Sequence, residues 1–140
     1  MNNRQTAYAL LRITMGVIFL FYGIDKFTGG LGNFVAGMNK PFSGKLPSFM
    51  VMPFAYVLPF GEVIAGALIL FGLFTRVGLT ISGLLLIGLT FGTVMLGDSP
   101  TVGHNLQYQL VNFVLLWFVE LNQYSLDVLF RRTKPVGFVS

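Results

Sequence analysis

The chain has 140 residues, 54% of them hydrophobic and 10% charged, with a formal net charge of +4. An ordinary soluble domain is about 25% charged, and a fold of this size cannot hide so much apolar surface from water, so the composition excludes a soluble protein and predicts a single transmembrane domain. There is no cysteine, which excludes disulfides, thiolate catalysis and cysteine-ligated iron–sulfur centres in this chain, and the basic residues cluster at the ends of apolar segments, which points to lipid headgroups and not to nucleic acid.

Four apolar segments predict an all-α, polytopic four-helix bundle with spans at about residues 7–24, 49–74, 77–96 and 105–124. The short polar start, Met1 to Thr6, precedes no small-residue cleavage pattern, so the first span reads as retained and not as a removed signal. That span carries Arg12, has Tyr8 and Tyr22 near its ends, and places Gly16 and Gly23 close to one face for tight helix approach. Asp25 and Lys26 end it. The connection over 25–48 is the longest polar stretch. Its Asn33–Asn39 part predicts a short interfacial helix and Pro41 to Pro47 reads as loop; a connection of this length caps the bundle or, as the alternative, acts as a lid.

The second span holds Pro53, Pro59 and one carboxylate, Glu62. Proline inside a helix removes a donor and clashes with the preceding turn, so a kink or a fresh helix start is expected near Pro59, on a face turned toward protein. Thr75 and Arg76 form a short turn, making spans two and three antiparallel neighbours. Span three has no charge and a Gly88–Gly92 step, the mark of a packing helix. The stretch from Gly97 to His104 reads as a polar turn. His104 is the lone histidine, and one ligand does not make a metal site. No metal is therefore expected. Span four begins with Gln107, Tyr108, Gln109 and Asn112 and carries Glu120 near its end.

Four spans put both termini on one side. Arg4, Arg76, Arg131, Arg132 and Lys134 collect there, against Lys26, Lys40 and Lys45 opposite, so both termini are expected in the cytoplasm. A rise of about 1.5 Å per residue puts Arg12 and Glu120 at matched depths of roughly 8 Å, which predicts a structural ion pair. Glu62 lies roughly 18 Å from the same surface. An acid at that depth is costly unless it is paired or faces a polar cavity, and it is a functional candidate for that reason. Lys26, Tyr22, Tyr108 and Asn112, with Gln109, are the groups that can reach it. Glu62 and Lys26 are the expected catalytic pair, and Tyr22, Tyr108 and Asn112 the expected substrate-binding residues.

Several motifs resemble those of the DoxX/DoxD-like family of small four-helix membrane proteins. They are Leu11-Arg12 followed by Gly16 and then Phe21-Tyr22-Gly23-Ile24-Asp25-Lys26-Phe27; Glu62, Gly66, Leu70, Gly72, Leu73, Thr75 and Arg76; and Ser125-Leu126-Asp127. The resemblance implies a bundle in a prokaryotic cytoplasmic membrane and an association with redox chemistry, since members include a subunit of thiosulfate:quinone oxidoreductase. It carries weight at Arg12, Lys26, Glu62 and Arg76. Two functions follow as expectations. One is the membrane subunit of a quinone-linked oxidoreductase, with no cofactor of its own and a quinone as ligand. The other is a non-catalytic accessory subunit on a larger respiratory or photosynthetic complex. In both, the partners are the lipid bilayer and other membrane subunits.

Overall fold

A computed structural model describes residues 3–122 and 125–132, and every regular element among them is helical. Helix α1 is Asn3–Thr28, α2 is Leu31–Asn39, α3 is Ser48–Phe71, α4 is Thr75–Leu96, α5 is Ser99–Trp117 and α6 is Leu126–Arg132. Two 3₁₀ turns intervene, Lys40–Phe42 and Val119–Leu121. Helices α1, α3 and α4 are long and apolar enough to cross a membrane. The chain is a multi-pass membrane protein. The expected fourth span becomes α5, which starts about six residues earlier than its sequence reading, ends sooner, and falls outside the membrane-length apolar helices.

Each long helix buries a stripe at alternating three- and four-residue steps. In α3 the stripe is Val51, Ala55, Leu58, Glu62, Ala65 and Ile69; in α4 it is Thr75, Leu79, Ser82 and Leu86. This spacing puts one face of each helix into a shared core of Tyr8, Met15, Phe19, Ile69, Leu79, Leu86 and Leu115. The other faces expose large apolar groups, among them Phe21, Phe60, Leu84 and Phe113, as lipid-facing helices do.

Glycines set the register of α1 against α3. A Cβ on Gly16 would meet the Leu70 backbone at 2.5 Å, one on Gly23 would meet Val63 N at 2.9 Å, and one on Gly66 would strike Leu20. The helices therefore run antiparallel with their backbones in near contact, as small residues allow in lipid. Each step up α1 is one step down α3, which brings Phe27 edge-on to Phe60 at 4.9 Å and Lys26 to Glu62. Since α1 ends at Thr28, α3 continues about ten residues, roughly 15 Å, beyond it. Helix α2 and the Lys40–Phe42 turn cover that overhang, anchored by buried Val35 and Phe42. The short helix was expected over Asn33–Asn39 and runs Leu31–Asn39.

Helix α3 passes without a break through Pro53 and Pro59, so it does not begin anew at the second proline. Pro59 and Glu62 are both buried, on the protein-facing side. Thr75 and Arg76 are not a turn but the first residues of α4; the turn is 72–74. The stretch read as a polar turn before His104 is instead the start of α5. Asp98 accepts hydrogen bonds from Thr101 N at 3.4 Å and Thr101 Oγ1 at 2.6 Å, with Pro100 in the first turn. An acidic cap followed by proline is a helix-start signature that outweighs the local polarity. Gly88 and Gly92 do not receive another backbone: they face the rings of Phe54 and Phe42.

Candidate functional site

The helix register decides the centre of the site. Lys26 Nζ lies 3.0 Å from Glu62 Oε2, and Glu62 is 4% exposed. The two side chains form an ion pair across α1 and α3. The ammonium also donates to Tyr22 O at 3.3 Å, one turn back on α1, and stands 5.8 Å from the Tyr22 ring centroid and 5.5 Å from that of Phe34. Those distances are within cation–π range. Phe34 belongs to α2, so the short helix helps to hold the charge pair. Lys26 is the hydrogen-bond partner of Glu62, and Oε1 accepts none from the described residues.

The pair opens on a cavity of about 480 Å³ between α1, α2, α3, α4 and α5. Its polar groups are Lys26, Glu62, Tyr22, Tyr108, Asn33 and Asn105; Phe19, Leu58, Leu86 and Leu89 supply apolar wall. Tyr22 and Tyr108 reach it from α1 and α5. The cavity exists because α1 stops short and a thin cover replaces a full helix. Ligand sites are typically apolar cavities of this size with a few convergent polar groups.

Asn112 is not among them. Its Oδ1 accepts from Ser82 Oγ at 2.6 Å and its Nδ2 donates to Leu79 O at 3.0 Å, while Gln109 Nε2 donates to Gly83 O at 3.3 Å. Both side chains fasten α5 to α4. Asn112 shares the face of Tyr108 but lies one turn further along α5, past the cavity, and Gln109 is turned toward α4.

The expected Arg12–Glu120 pair does not form. Arg12 Nη1 donates to Asn122 Oδ1 at 3.0 Å, and Glu120 lies on the Val119–Leu121 turn, on the exposed side. The helix ends at Trp117, so depth counted along a continuous helix misplaced Glu120. Asn122 passes the link on: its Nδ2 donates to Thr75 Oγ1 at 2.9 Å, and Thr75 Oγ1 donates to Asp127 Oδ2 at 2.8 Å. Asp127 also accepts from Phe74 N at 2.7 Å and Thr75 N at 3.0 Å, so a carboxylate from α6 caps the start of α4. Tyr8 donates to Leu115 O nearby. These contacts tie together the bundle end opposite Lys26 and read as structure. Arg76 is exposed on the first turn of α4, and His104 is exposed on α5. Among the described residues no group of three or more histidine, cysteine, aspartate or glutamate side chains could hold a metal ion.

Sequence reasoning missed Phe34, Asn33 and Asn105 at the cavity, and the Asn122–Asp127 chain. A short helix expected to cap the bundle was the one available signal for the first two.

The family model for methylamine utilisation protein MauE matches residues 4–98, more than half of the chain. The chain belongs to the MauE family. This corrects the DoxX/DoxD-like resemblance: the motifs quoted for it lie largely inside the MauE match, and each was too short to separate two families of small membrane proteins. The MauE region contains Arg12, Tyr22, Lys26 and Glu62; Tyr108, Asn112 and Glu120 lie beyond it. The chain is also 42% identical over 95 residues to "Putative oxidoreductase CatD" of Bacillus subtilis (strain 168). That alignment covers 66% of this chain and 57% of the relative, so the chain spans little more than half of that protein's length. No solved structure matches the chain.

Proposed function

We propose that this MauE-family protein is the membrane subunit of an oxidoreductase, and that the Lys26–Glu62 cavity takes up the head group of a quinone. The observation that carries this reading is an ion pair with a buried carboxylate, whose second oxygen accepts no hydrogen bond from the described residues, lining a cavity that two tyrosines also line. An ion pair kept only for stability is better replaced by apolar residues, so one that lines a cavity invites a ligand reading. The likeness to an oxidoreductase by name agrees with the chemistry. A quinone head is flat and apolar with two carbonyl acceptors, and the site offers a flat aromatic and aliphatic wall with donors at Lys26, Tyr22 and Tyr108. When bound, the quinone is the electron acceptor, taking two electrons and two protons per turnover. The electrons come from a partner subunit. Lys26 would donate a hydrogen bond to one carbonyl and Tyr22 or Tyr108 to the other, and Glu62 would pass the two protons in from the aqueous side.

In this reading α5 crosses as a fourth span. Buried Asn105 and Asn112 turn much of its polarity inward, and its antiparallel seat beside α4 returns the chain to the starting side. The arginine-rich end, with Arg4 and Arg76, faces the cytoplasm, and Lys40 and Lys45 face outward across a prokaryotic inner membrane. Replacing Glu62 by Gln keeps shape and removes the charge. Quinone reduction by membranes containing E62Q is expected to fall at least tenfold at normal expression; unchanged turnover removes Glu62 from the reaction.

One observation favours an accessory role as well. Gln107 is exposed on the outer face of α5, one residue from Tyr108 at the depth of the ion pair. A polar side chain at that depth is poorly placed against acyl chains, which suits a contact with another membrane subunit. Co-migration of Q107A with its complex on blue-native gels, weakened relative to wild type, is the expected result.

A further inference from the structure

A second cavity, of about 310 Å³, adjoins the first. Met38 and Leu89 line both. The second cavity lies under the Lys40–Phe42 turn, between the overhanging start of α3 and the last turns of α4. Its walls are hydrocarbon and aromatic, including Phe42, Phe54 and the small gap left by Gly92. Thr93 is the one polar side chain on it, and its hydroxyl is already engaged with Leu89 O at 3.0 Å and Thr90 O at 3.1 Å. Nothing in this space asks for water or a polar ligand. Met50 and Phe91, which also line it, are exposed on the lipid-facing side.

We infer that the second cavity holds the hydrocarbon tail of the ligand whose head sits beside Lys26 and Glu62. The ligand is therefore an amphiphile with a compact polar head and a long apolar tail. The tail passes between Met38 and Leu89 and leaves into the bilayer past Met50 and Phe91. Continuity of the two walls is the argument: a head in the first cavity has an apolar exit next to it. Methionine, unbranched and adaptable, suits one side of such a passage. This inference rests on the head-group reading above and adds the tail's path.

The test uses the full chain in nanodiscs and two ligands with the same benzoquinone head, one tailless and one carrying a decyl tail. Gly92→Leu fills the second cavity without touching the first; Leu96→Trp, one turn further along α4, does so if the glycine variant melts early. In either folded variant the decyl quinone is expected to lose at least tenfold in affinity relative to wild type, while the tailless quinone binds as before. Partition of the tail into the bilayer is common to both proteins and cancels. Unchanged decyl binding in both variants overturns the tail path and leaves the head site standing. Failure of the tailless quinone to bind wild type overturns the head-group reading, and the tail path with it. A diazirine at the end of the decyl tail is expected to label Met50 or Phe91 in wild type. Labelling of buried Phe42 by a diazirine phospholipid, undiminished by excess decyl quinone, assigns the cavity to a lipid chain and overturns the inference.

Discussion

Replacing Lys26 by Met isolates the worth of the charge pair. The substitution keeps a long apolar stem and removes the ammonium, leaving Glu62 without its hydrogen-bond partner in a position where its side chain is 5% exposed. Breaking a buried pair by deleting one partner costs about 3–5 kcal/mol, whereas replacing both partners by apolar groups is often neutral. The Lys26 side chain is 21% exposed and Glu62 faces a cavity, so the lower end applies, about 3 kcal/mol. For a chain of this size that is roughly a 10 °C fall in melting temperature. The double variant Lys26→Met/Glu62→Leu is expected to melt within about 1 kcal/mol of wild type, roughly 2 kcal/mol more stable than Lys26→Met. Fluorescence-detected size-exclusion after heating in detergent reads all three proteins. If Lys26→Met melts with wild type, the pair does not hold the fold as described. If the double variant melts as low as the single, the loss comes from packing and not from a stranded carboxylate.

Two further outcomes separate structure from site. Gly72 adopts φ 68°, and a Cβ there would collide with Arg12 Nη1 and Ser125. Gly97 adopts φ 71° with open space around it. Gly72→Ala is therefore expected to lower the melting temperature by well over 10 °C and Gly97→Ala by only a few degrees, since the second meets backbone strain of about 1 kcal/mol alone; equal losses would refute the crowding at Arg12. Asn112→Leu breaks the bonds to Ser82 and Leu79, each interhelical bond being worth about 0.6 kcal/mol and at most about 1.7. It is expected to melt a few degrees lower and to bind a tailless quinone as wild type does; lost binding with an intact fold would return Asn112 to the site.

The division between these residues explains what the sequence could tell. Gly16, Gly23 and Gly66 are legible because close approach in lipid needs small residues at helical spacing, and once those glycines align α1 with α3, Lys26 must meet Glu62. Apolar length made α1, α3 and α4 visible for the same reason. Where the cavity ends leaves no such mark on α5: Tyr108 lines it, and Asn112, one turn further on the same face, bonds to α4 instead. Arg12 was given the wrong partner because depth was counted through Trp117, where the helix stops, and because Asn122, which is uncharged, supplies the acceptor. The overhang of α3 past α1 was hidden too. It follows from two helices of similar length set out of step, and that offset, with α2 laid over it, is what leaves room for a cavity.

Photoaffinity labelling with an azidoquinone in native membranes, followed by peptide mapping, bears most directly on the role of this cavity. Labelling is expected within the stretch from Tyr22 to Met38 and at Leu58, Leu89 or Tyr108, and it should vanish when excess unmodified quinone is added. Labels confined to the lipid-facing positions, such as Leu84 and Phe113, and unaffected by competitor, would contradict a quinone site beside Lys26 and Glu62.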